Sequence, residues 1–195
     1  MFDQVNLGRE FFEVLERLDE SIARRVAEAR CAVCKGPLHC GNFARKPRGG
    51  LMARAGEAFV LRFSLCCGRE GCRKRATPPS LRFLGRRVYL GAVVVLASLV
   101  AQALGVASAI RQATGVPART TRRWLGWWRG PFVRTEVFIA IRARLIGVET
   151  ALLPASILDR LPSAPEARVR TMLDLLAPIT TDSVAEGARF LREMA

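Results

Sequence analysis

One histidine, His39, and only two acidic residues between positions 30 and 135, Glu57 and Glu70, leave the centre of this 195-residue chain poor in catalytic groups. Paired carboxylates, a Ser/His/Asp set or a His-assisted nucleophile need residues that this stretch does not hold. Neither a Gly-rich phosphate loop nor a dinucleotide fingerprint occurs, and there is no internal repeat. Six cysteines are too few for a disulfide framework, and they are clustered rather than scattered. The first residues, MFDQVNLGREFFEVLERLDE, are acidic and amphipathic, with no basic stretch leading into an apolar run, so they do not read as a secretory signal. These absences predict a soluble, cytoplasmic protein that is not an enzyme. Half of the residues are hydrophobic, which argues against wholesale disorder, and the length suffices for one full domain or two small ones.

What is abundant is arginine. The chain carries 31 Lys+Arg against 17 Asp+Glu, a net charge of +14, and Lys35, Lys46 and Lys74 are its only lysines. Residues 1–29 balance to −3 and residues 136–195 to −1, so residues 30–135 hold +18. A GC-rich genome would account for arginine in place of lysine, but not for its confinement to one segment. Concentrated positive charge displaces counterions from a phosphate backbone, which makes nucleic acid the expected partner.

Residues 9–30 read as a helix, with Phe11, Leu15, Leu18, Ile22, Val26 and Ala29 forming one stripe that packs within the domain or seams a dimer. Residues 31–79 are turn-rich, with a strand-like run over 58–67 that alternates Phe59, Leu61, Phe63 and Leu65 against Val60, Arg62 and Ser64. Such a unit is too small for a core of its own and needs a staple. Residues 88–110 contain no charge and are long enough to span a membrane. Gly91, Ser98, Gln102, Gly105 and Ser108 dilute that run, and arginines on both sides give it no sidedness, so it is predicted to be a buried core helix. Further helices are expected around residues 136–146, 156–161, 166–176 and 181–194, interrupted by Pro154, Pro162, Pro165 and Pro178. The predicted units are an N-terminal helix (1–30), a zinc ribbon (31–80), a helical domain (81–132) and C-terminal helices for packing or partner contact (133–195). The fold class is mainly α with a small zinc-ribbon β-hairpin module, α+β overall.

The cysteines carry the first motif. CAVCKG places Cys31 and Cys34 within reach of one ion, and LCCGREGCRKR adds Cys66, Cys67 and Cys72 some 30 residues on. Two such clusters around a hairpin form the pattern of a tetrahedral zinc ribbon. Along a strand Cys67 shares a face with Phe63 and Leu65, while Cys66 points with Arg62 and Ser64. The chosen ligands are therefore Cys31, Cys34, Cys67 and Cys72, with Cys66 as substitute. His39 could replace one thiolate, and an arrangement containing Cys40 stays open. With only Glu57 and Glu70 nearby, the zinc is expected to be structural rather than catalytic.

The second motif is VASAIRQATGVPARTTRRWLGWWRGPF. A helix over 106–114 is broken by Gly115, Val116 and Pro117, with Val116 able to plug a core. A second helix follows through Trp128, capped by Thr120 or Thr121. This is the outline of a helix-turn-helix, whose second helix enters the major groove. Arg119, Arg122, Arg123 and Arg129 would meet phosphates or base edges, as would Arg73, Lys74, Arg75, Arg86 and Arg87 upstream. Trp124, Trp127 and Trp128 share one face, expected to pack in the core.

Taken in order, CAVCKG, the segment LCCGREGCRKRATPPSLRFLGRRVYLGAVVVL and TGVPARTTRRWLGWW resemble the zinc-ribbon plus helix-turn-helix module at the N-terminus of insertion-sequence transposases. The resemblance covers about residues 31–130 and rests on Cys72, Arg73, Lys74, Arg75, Thr77, Pro78 and the helix from Val88. The second knuckle is longer than usual, and Arg111 stands where such motifs hold a small residue. No spaced carboxylate triad on a β-rich stretch follows residue 135, so the resemblance implies DNA binding without strand transfer. The expected protein is a zinc-containing nucleic-acid binder, with DNA favoured over RNA, acting as an accessory or regulatory factor linked to a mobile element. A homodimer or a partner protein would use the flanking helices, and no membrane is involved. The alternatives are a subunit of an RNA-guided or other ribonucleoprotein complex, or a nuclease or recombinase.

Overall fold

The computed structural model describes residues 7–45, 60–84, 89–104, 107–161 and 164–179. The amphipathic N-terminal stretch forms α1 (Arg9–Glu28), with a different inward face from the one expected. Phe11, Phe12, Leu15, Asp19, Ile22 and Ala23 are buried, whereas Leu18 is 40% exposed and Ala29 lies at the surface. A carboxylate takes the leucine's place because it has partners inside: Asp19 accepts from Ser80 Oγ at 2.6 Å, the Leu81 N–H at 2.7 Å and Arg82 Nε at 2.9 Å. A buried charge held this way avoids the desolvation cost that an unpaired one would carry.

The turn-rich segment folds as five short strands, β1 (Leu38–Cys40), β2 (Phe43–Ala44), β3 (Leu61–Arg62), β4 (Leu65–Cys67) and β5 (Arg75–Ala76). They form an antiparallel sheet in the order β1-β4-β5 and a separate β2-β3 pair. Leu38 faces Cys67 and His39 faces Cys66, while Cys66 also faces Arg75 on the other side. The single strand expected over 58–67 is instead two, parted at Phe63 and Ser64, and residues 58 and 59 lie outside the described residues. The expected alternation fails at Arg62, which is buried while Leu61 is partly exposed. The Arg62 guanidinium turns inward because it donates to the carbonyls of Phe63 (3.1 Å) and Pro78 and approaches the Phe83 ring.

From Pro78 to Leu84 every residue is buried, so the connection to the helices is part of the core rather than a loose tether. The Ser80 N–H donates to Ala177 O, and Phe83 bridges Leu90. The charge-free run then forms α2 (Gly91–Leu104), ten of whose fourteen residues are buried. The expected helix end at Gly105 lies outside the described residues. No helix among the described residues is long and apolar enough to cross a membrane. The polar residues in α2 serve the core. The Ser98 hydroxyl donates to Val94 O and accepts Trp128 Nε1–H at 3.0 Å, and the Gln102 amide donates to Leu153 O.

Next come α3 (Ala107–Thr114) and α4 (Ala118–Arg129), separated by Gly115, Val116 and Pro117, with Val116 fully buried between them. The expected threonine cap is not there. α4 starts directly after Pro117, and Thr121 sits buried inside the helix with Oγ1 donating to Ala118 O. Proline's fixed φ makes it serve as the helix boundary without a side-chain cap. α5 (Glu136–Arg144) is capped by Thr135, whose side chain accepts the Phe138 N–H. α6 (Ala155–Leu158) and α7 (Pro165–Leu176), with proline in its first turn, complete the described chain. The helix expected over 181–194 lies outside it. One hydrophobic cluster runs from Leu7 through the buried connection to Ile179 and includes Trp124, Trp128 and Phe132.

Candidate metal centre and basic helix

The Sγ atoms of Cys31, Cys34, Cys67 and Cys72 lie within 4.8 Å of one another. Cys31 and Cys72 are 3.8 Å apart, and Cys34 and Cys67 are 3.4 Å apart. Disulfide sulfurs would be about 2.05 Å apart. Four thiolates around one ion at about 2.3 Å stand about 3.8 Å apart, the edge of the tetrahedron. The spacing matches the second geometry, and an all-thiolate set suits a soft or borderline divalent ion.

Local backbone geometry explains why these four converge despite unequal spacing. After Cys34 the chain turns through Lys35 (φ 58°), whose N–H donates to Cys31 O at 2.8 Å. After Cys72 it turns through Arg73 (φ 45°), whose N–H reaches Arg69 O at 3.4 Å. The two loops therefore match, with Arg69 in the place of Cys31. The thiol that this place lacks is supplied two residues earlier by Cys67, at the end of β4. Gly36 closes the first loop against the second: a Cβ there would stand 3.1 Å from Cys67 Sγ and 3.2 Å from Cys34 Sγ.

The loops also supply charge stabilisation. Backbone N–H groups of Cys34 and Val33 lower the Cys31 thiol to about 7. The Arg69 N–H donates to Cys67 Sγ at 3.4 Å, yet burial and the thiols of Cys34, Cys72 and Cys31 outweigh it and push Cys67 up to about 12. Four thiols this close cannot all ionise without a cation among them.

The other thiols and the histidine stand apart from the cluster. Cys66 lies on the opposite face of β4, with Sγ toward the carbonyls of Cys67 and Arg73. Cys40 is exposed, and the imidazole of exposed His39 lies against Gly68.

Of the cationic candidates, Arg73, Lys74 and Arg75 are exposed beside the cysteines, with Arg75 donating to Ser64 Oγ and lying over Phe43. Arg86 and Arg87 lie outside the described residues. Arg119, Arg122, Arg123 and Arg129 are all exposed on α4, and among the described residues no carboxylate pairs with any of them. The opposite face of α4 anchors the helix. Trp128 packs on Trp127 and Phe132, Trp124 meets Tyr89, and both Trp124 and Trp128 are buried.

The sequence reading missed the charged joint between the cysteine module and the helices. Besides pairing with Asp19, buried Arg82 donates to Glu16 at 3.0 Å and to Leu61 O at 3.0 Å, tying α1, β3 and the connection together. Arg45, Arg62 and Arg82 crowd the Phe83 ring. Burial lowers Arg62 to about 10, against the attraction of Asp19. The only available signal was Asp19 interrupting an apolar face.

No family model, curated protein or solved structure matches this chain.

Proposed function

We propose that this is a zinc-containing nucleic-acid-binding protein, with DNA favoured over RNA, in which a zinc ribbon stiffens one part of the basic surface and α3–α4 act as a helix-turn-helix. The observation that carries the reading is α4, whose outward face bears four exposed arginines with no acidic partner among the described residues, while its tryptophans hold the inward face in the core. Four cations on a helix whose other face is packed in the core are suited to phosphate contact, because the backbone that carries them needs no ordering on binding. Four thiols within 4.8 Å of one another support zinc, in a structural role. The order of cysteine knuckles, basic stretch and broken helix pair supports an accessory or regulatory role linked to a mobile element.

Elemental analysis of protein purified without chelator should give one zinc per chain. In titrations with a DNA duplex, log K should fall linearly with log salt, each phosphate contact adding about 0.9 to the slope. Arg122→Glu with Arg123→Glu should weaken binding about tenfold or more and flatten that slope. Affinity that stays the same from low to high salt refutes the reading.

A further inference from the structure

We infer that the sheet face of the cysteine module opposite the thiol cluster, built by His39, Phe43 and Arg75, is a stacking site for the unpaired bases of single-stranded DNA. The inference rests on the nucleic-acid reading above and adds to it a second site, on the module rather than on the helix pair, with a ligand form of its own.

Residues directly opposite one another in a sheet share a face. His39 faces Cys66 and Cys66 faces Arg75, so these three cross the β1-β4-β5 sheet on one side. Leu38 and Cys67 take the other side, where the four thiols gather. The sheet thus has one face for an ion and one that the ion leaves free. On the free face His39 and Arg75 are exposed, and so is Phe43, which follows β1 and lies under Arg75.

Both rings are held in place. A Cβ at Gly68 would collide with Nε2 and Cδ2 of His39, so the imidazole rests where the chain carries no side chain. The Arg75 guanidinium stands 5.8 Å from the centroid of the Phe43 ring and donates to the buried Ser64 hydroxyl at 3.4 Å. A cation–π pair is weak at an exposed site, and a phenylalanine left outside adds little to a module so short of apolar core. Stability therefore does not account for the arrangement.

Rings set among cations are what an unpaired strand requires. Its bases offer free π-faces to phenylalanine, histidine or a guanidinium plane, and its phosphates need positive charge along their path. Lys35, Arg69, Arg73 and Lys74 are exposed beside the cysteines, and among the described residues neither they nor Arg75 pair with a carboxylate. In a duplex the base faces are taken by neighbouring pairs, which leaves these rings nothing to stack on. An acidic peptide would satisfy the charges but not the rings.

The test uses the full metal-loaded chain and four probes. These are a thymidine strand of about twelve nucleotides, an abasic deoxyribose-phosphate strand and a uridine strand of the same length, and polyglutamate as competitor. Wild type should bind the thymidine strand roughly tenfold or more tightly than the abasic one, because only the first offers bases. Phe43→Ala with His39→Ala should lose that preference while keeping the wild-type metal content and the affinity for the abasic strand. Phe43→Tyr with His39→Phe, which keeps a ring at both places, should restore it. Equal binding of the thymidine and abasic strands by wild type overturns the inference without recourse to any variant. So do a preference that survives in the alanine variant, displacement of the strand by polyglutamate at matched charge, and tighter binding of the uridine strand, which would assign the face to RNA. If a DNA duplex binds and no single strand does, this site fails while the reading above stands; if wild type binds no nucleic acid at all, that reading falls first.

Discussion

The cysteine module and the helical body reach stability by opposite chemistry. Between Cys31 and Ala76 the only buried apolar side chains among the described residues are Cys31, Leu65 and Cys67, and two of these belong to the thiol cluster. The helical body instead wraps α2 with Trp124, Trp128, Phe132, Phe138 and Ile141, all in one hydrophobic cluster. Strands two or three residues long cannot shed enough apolar surface to offset their conformational entropy. A 14-residue helix with ten residues buried can. The module thus has a thiol cluster that could hold an ion where the body has packing, and the two meet at Asp19 and Arg82.

The largest expected break in this contrast comes from the metal. Chelation, or Cys67→Ser, should unfold the module while leaving the helical circular dichroism largely intact, because structural zinc contributes on the order of 10–16 kcal/mol to such units. Hydrogen exchange reads it directly, with the Cys67 amide, which donates to Lys74 O, losing its protection. Acidification should act in the same direction. Ligands bind as thiolates, so falling pH protonates them and releases the ion, and rising pH restores it. Loss of helical signal in parallel with the metal would show that the two regions are not separate in their chemistry.

Next in size is the joint. Asp19→Ala leaves buried Arg82 with Glu16 as its remaining carboxylate and strips the buried Ser80 hydroxyl and Leu81 N–H of their acceptor, and should destabilise the fold by about 3–5 kcal/mol in thermal or denaturant unfolding. Adding Arg82→Leu should recover part of that loss, since it removes a buried charge that has lost one of its two carboxylate partners. Because both regions contribute to the joint, the loss should appear in the melting of both. The smallest effect concerns the body alone. Ser98→Ala removes the acceptor of Trp128 Nε1–H and should cost about 1–3 kcal/mol without changing metal content.

Much of the candidate site was legible in the sequence. Strand parity and knuckle spacing picked out the four thiols that the structure brings together, and the glycine-proline break marked the start of α4 to within a few residues. Legibility ended where partners are distant. Periodicity places Leu18 in the buried stripe, leaves Asp19 out of it, and sets Arg62 on the polar side of a strand. Each assignment follows local periodicity, and each fails because the compensating group lies far along the chain: Arg82 is 63 residues from Asp19, and Pro78 is 16 from Arg62. Likewise Thr121 resembles a cap in sequence, while Pro117 already fixes the boundary.

By itself the sequence determined where the charge lies, which thiols can share an ion and which stretch must be buried, because spacing, parity and hydropathy are local properties. Only the tertiary structure decided which charged residues are inside and which face of α4 is left to solvent. A charge is buried or exposed according to whether a partner arrives to compensate it, and that partner is brought by the fold.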